Sequence, residues 1–74
     1  MNNNRRDKIK AIIKQIERVT KMLDEVLTEE YDAYENMPEG LKCTDNGFNS
    51  ENAQENIEQA IDTLNEAVEY LEEI

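Results

Sequence analysis

The 74 residues carry eight Lys and Arg against 18 Asp and Glu, with no His and one Cys, for a net charge of −10. A chain this short forms one domain at most and buries a thin core, so self-association is expected. The excess of carboxylates disfavours direct binding to nucleic acid or an anionic membrane, because phosphate would be repelled on average.

The lone Cys43 excludes an internal disulfide and suits a reduced setting. No apolar run approaches the ~18 residues that a membrane span needs, and the polar start lacks the apolar core of a secretory signal. The expected place of work is the cytoplasm. The charge is also uneven. Residues 1–21 hold seven basic groups against Asp7 and Glu17, whereas residues 22–74 hold only Lys42 against 16 acids.

A polar lead, Met1 to Asn4, offers an Asn as a helix cap. The apolar pattern then runs through Ile9, Ile12, Ile13, Ile16, Val19, Leu23, Val26 and Leu27 to Tyr31 and Tyr34. Neither Gly nor Pro interrupts it, so the spacing predicts one helix over about 5–36, ~48 Å long. Asn36-Met37-Pro38-Glu39-Gly40 ends that helix. A connection over about 37–49 follows, in which Asp45-Asn46-Gly47 reads as a turn. Asn49 or Ser50 is then the expected cap of a second helix over about 50–74, with Phe48 stapled onto its first turn and Leu41 and Phe48 closing the end.

In the second helix, Ile57, Ile61, Leu64, Val68 and Leu71 recur at alternating four- and three-residue steps, the seam of a coiled coil. Ala53, Ala60 and Ala67 run beside it. The sequence therefore predicts a single all-α domain over 1–74, a two-helix antiparallel hairpin of coiled-coil type that assembles into a bundle. With residue 36 beside residue 50, Arg18 falls near Val68 and Lys14 near Glu72, which orients the helices by charge. The stripe of Ile9, Ile12, Ile13, Ile16, Val19, Leu23, Val26 and Leu27 is wider than one partner helix covers.

Catalytic chemistry finds little purchase. Cys43 has no His to serve as its base, no set of Cys and His suits zinc, and no Gly-rich phosphate loop exists. The expectation is a protein that is not an enzyme and uses neither cofactor nor metal. Two clusters are candidates for ligand binding. Arg5, Arg6, Lys8 and Lys10 surround the positive end of a helix dipole and suit an anion such as a phosphate. Tyr31, Tyr34 and Asn36 flank the connection, where aromatic rings can stack a base. Each cluster also has a plainly structural reading, as ion-pair partners of the second helix and as a cap on the core.

Tyr34-Glu35-Asn36-Met37-Pro38-Glu39-Gly40-Leu41 together with the helix from Ala60 to Glu72 resembles small acidic helical-hairpin proteins encoded by phages and prophages of Gram-positive bacteria. The chain departs from that pattern at Gly40 and in Asp45–Phe48. The resemblance implies a viral accessory protein with no defined activity; small phage proteins of this build include counter-defence factors, and a counter-defence role by binding is the expected function of this chain. It would be an oligomeric sponge for an anionic nucleotide immune signal or an inhibitor of a host defence protein. An acidic DNA mimic that occupies a nucleic-acid-binding protein, and a structural or assembly adaptor, are the alternatives.

Overall fold

A computed structural model describes all residues from Met1 to Ile74. The chain is all-helical and elongated, with Cα extents of 58 × 15 × 12 Å. Three helices follow in order: α1 (Asn3–Glu35), α2 (Glu39–Lys42) and α3 (Asp45–Glu72). No helix is long and apolar enough to cross a membrane. Asn2 caps α1, its side-chain oxygen accepting from the Arg5 N–H at 2.8 Å. Asn36 ends it, donating its N–H to the Asp32 carbonyl at 3.0 Å.

The expected 13-residue loop is replaced by the single turn of α2, and α3 begins at Asp45 rather than near Ser50. The physical reason lies at Gly47, which is buried in the first turns of α3. A Cβ at this position would overlap the carbonyl of Lys42. The Asn-Gly pair thus serves a close approach between α2 and α3, not a turn. Thr44 sits at the N-cap position of α3, but its hydroxyl donates back to the Leu41 carbonyl at 2.5 Å. With the helix starting early, Phe48 points outward at 54% exposure and Leu41 is also exposed, so neither closes the end of the core.

α1 and α3 lie side by side in opposite directions, joined by seams of strict four-three spacing. On α1 the seam is Ile9, Ile13, Ile16, Thr20, Leu23, Leu27, Glu30 and Tyr34; on α3 it is Gly47, Ser50, Gln54, Ile57, Ile61, Leu64, Val68 and Leu71. The core is thin. Ile61 and Val68, each at 9% exposure, are its only buried apolar residues. Thr20 is buried and satisfies itself by donating to the Ile16 carbonyl at 2.8 Å. Ile12, Val19 and Val26 do not enter the seam; they stay 47%, 47% and 46% exposed along one flank.

The early start of α3 moves the register by about one turn from the expected one. Ile9 and Arg6 lie with Leu71 and Ile74 at the open end, whereas the expected register set Lys14 beside Glu72. The charge pairs anticipated between Lys14 or Arg18 and α3 do not form. Lys42–Glu39, at 3.3 Å, is the single ion pair of the chain. Lys14 and Arg18 occupy outer positions of α1, one and five residues beyond Ile13, and face away from α3.

Candidate functional site

The loop end of the rod carries a polar network that begins inside the seam. Ser50, buried, donates to the Glu30 carboxylate at 2.7 Å and accepts from the Gln54 amide at 3.3 Å. One turn further toward α2, the Tyr34 hydroxyl donates to Glu51 at 2.7 Å. On the same flank the Tyr31 hydroxyl donates to Glu58. The Lys42 ammonium lies 5.2 Å from the centroid of the Tyr34 ring, a cation–π distance, while it also bridges to Glu39.

This network changes the chemistry expected of the tyrosines. Both hydroxyls are committed as donors to carboxylates, and Glu35, Glu39 and Glu51 surround Tyr34. The hydrogen bond to Glu51 is the main cause that holds the Tyr34 phenol above the usual tyrosine range; desolvation and the nearby carboxylates push it the same way. An anion approaching this end meets negative charge, and the one cation within reach, Lys42, is already paired. The end suits a cationic partner. Asn36 is exposed and serves the backbone as the C-cap of α1.

The basic cluster sits at the other end. α1 is unbroken from Asn3 to Glu35, so Arg5 and Tyr34 are separated by ~43 Å along it. Arg6 and Lys10 line an open hollow of about 370 Å³ with Ile9, Ile13, Leu71, Glu72 and Ile74. Arg5 and Lys8 fall on other faces of α1 and do not line it. The predicted anion cluster is thus split: two cations face a partly apolar hollow that also holds a carboxylate, and two do not. No three Cys, Asp or Glu side chains converge to hold a metal ion.

The Glu30–Ser50–Gln54 layer was not read from the sequence. The signal for it was present: the four-three count that runs through Leu23 and Leu27 lands next on Glu30, and counted backward from Ile57 it lands on Gln54 and Ser50.

The distribution of charge follows from the register. The half of the rod built from residues 1–21 and 60–74 holds seven basic and seven acidic groups, and is neutral. The half built from residues 22–59 holds 11 acidic groups and Lys42, a net of −10. All the carboxylates except Glu39 lack an ion-pair partner. No family model, curated protein or solved structure matches this chain.

Proposed function

We propose that this chain is a non-enzymatic binding protein, an acidic inhibitor that occupies a basic surface of another protein, in the viral counter-defence role expected from the sequence. The observation that carries the reading is the loop-end half of the rod. Its net −10 is spread over half of a 58 Å rod, one charge per ~2.9 Å, compared with one per ~1.7 Å of duplex DNA. All of those carboxylates stand on helices, and all but Glu39 are free of internal cations, so a basic partner meets them already in place. An inhibitor of a host defence protein and a mimic of DNA are the same physics here, since a basic groove built for phosphate accepts either. The architecture it uses is the coiled-coil-like hairpin of α1 and α3.

The test is retention of partners from a host lysate on the immobilised full-length chain, compared with a variant carrying Glu25→Gln, Asp32→Asn and Glu55→Gln. The reading expects a basic protein held by the parent, released as salt rises, and lost from the variant. A partner held equally by both proteins contradicts it. A second reading, a trap for an anionic nucleotide signal, is favoured by Arg6 and Lys10 at the open hollow. A thermal-shift panel of linear and cyclic nucleotides separates the two, because a trapped ligand stabilises the folded chain by mass action and Arg6→Ala removes that gain.

A further inference from the structure

Of the two flanks beside the seam, one carries most of the charge and the other holds a single charged residue, Arg5, seven before Ile12. Tyr31 and Glu58 each follow a seam residue by four and meet on the acidic flank. Ile12, Val19 and Val26 each precede a seam residue by one, as do Ala53, Ala60 and Ala67, and in an antiparallel pair such positions share the opposite flank. Every carboxylate of α3 lies elsewhere around the helix. The band that contains the three alanines, together with Asn49, Asn56, Thr63 and Tyr70, has no charged residue. On α1 the same face carries Met22 between Val19 and Val26, 59% exposed. In a protein that is 35% charged, the middle of this face, between Lys8 and Glu29 on α1 and along the alanines of α3, is left free of charge and open to a partner.

We infer that a second copy of this chain covers it, as an antiparallel face-to-face dimer whose two-fold axis passes beside Val19 and Ala60. This inference rests on the opposite face from the acidic surface and is independent of the function proposed above. Three observations select this occupant and orientation. First, the α1 stripe is symmetric about Val19, with Ile12 seven residues before it and Val26 seven after, so each Ile12 meets a partner Val26.

Second, the stripe ends in opposite charges on the same face, Lys8 before Ile12 and Glu29 after Val26. Reversal about Val19 sets each Lys8 against a Glu29 of the other copy. Third, the neutral and acidic halves of the rod divide near residues 21 and 60, close to that axis. A reversed copy lays its neutral half over the −10 half, whereas a parallel copy would stack the two acidic halves. The rod offers room for such an interface: the outline of this face, 58 by 15 Å between Cα atoms, encloses about 870 Å², and a standard stable interface buries ~800 Å² per partner.

Sedimentation equilibrium on the full chain tests this. The parent is expected at about 17 kDa, twice its 8.6 kDa. Glu29→Lys, an exposed change that leaves folding intact, places like charges at both ends of the stripe and is expected to weaken the dimer about tenfold at low salt. Adding Lys8→Glu in the same chain restores opposite charges and should restore the mass. In a Cys43→Ser background, Val19→Cys is expected to form an interchain disulfide, because the two copies of residue 19 meet at the axis. A monomeric parent at micromolar concentration overturns the inference. So does a dimer that ignores Glu29→Lys, one that Lys8→Glu fails to rescue, or one in which Val19→Cys does not cross-link.

Discussion

The Ser50 hydroxyl donates to the Glu30 carboxylate at 2.7 Å across the seam between α3 and α1, one step along the α1 seam from Leu27. A carboxylate at a seam position is costly unless a donor meets it. The pair therefore favours one register: sliding either helix by one turn would take Ser50 away from its acceptor and set it against Leu27 or Tyr34 of the α1 seam. Gln54, donating to the same hydroxyl, completes the layer.

Ser50→Ala removes the donor and leaves Glu30, half-buried, without its partner. The expected loss is about 1–3 kcal/mol, in the range for a hydrogen bond to a charged group. Thermal denaturation at fixed protein concentration checks it. Pairing Ser50→Ala with Glu30→Leu should recover most of the loss, since both polar partners are then gone. No difference between Ser50→Ala and the parent would show that the layer is not holding the register.

The two glycines are expected to respond in opposite directions. Gly→Ala inside a helix normally gains up to about 1 kcal/mol. Gly40, in α2, has nothing within 4 Å of a new Cβ, so Gly40→Ala should stabilise by roughly that amount. Gly47 lies against the Lys42 backbone, which cannot move aside as a flexible side chain does. Gly47→Ala should therefore destabilise and separate α2 from α3, seen as a lower melting temperature and loss of amide protection in residues 39–47. Stabilisation by both changes would contradict the close approach.

Much of the fold was legible before the structure. The Asn cap near residue 2, the unbroken α1 and the seam from Ile57 to Leu71 all follow from spacing and from the absence of Gly and Pro. The start of α3 was not legible, because Asp45-Asn46-Gly47 carries the same residues whether it turns or lets two backbones touch, and only the tertiary contact decides. That misplaced start carried the register with it by one turn, and with it the supposed partners of Lys14 and Arg18. The tyrosines stood out as a cluster, but their chemistry depends on Glu51 and Glu58, which spacing along one helix does not reveal. Splitting Ile12, Val19 and Val26 from the core likewise needed the true seam, since all three fit a broad apolar stripe.

Tyr34 gives a prediction in pH. Its phenol titrates above the usual range in the folded chain, mainly through its bond to Glu51. A group whose folded pKa is raised holds more protons in the folded state, so its contribution is fully present below the ordinary tyrosine value and is lost as pH rises through the raised one. Tyrosinate absorbance should show Tyr34 ionising later than in Tyr34's unfolded form, and Glu51→Gln should bring it down by removing the carboxylate charge. An unchanged titration in Glu51→Gln would mean that the Tyr34–Glu51 bond is not populated in solution.

The most direct test of the account is small-angle scattering with the mass measured on the same sample. Two hairpins laid face to face in reverse orientation double the mass and thicken the rod while keeping its length close to that of one chain, whose Cα extent is 58 Å. That pairing of doubled mass with unchanged length is the predicted result. A single-chain mass, or a dimer about twice as long as one hairpin, would contradict it.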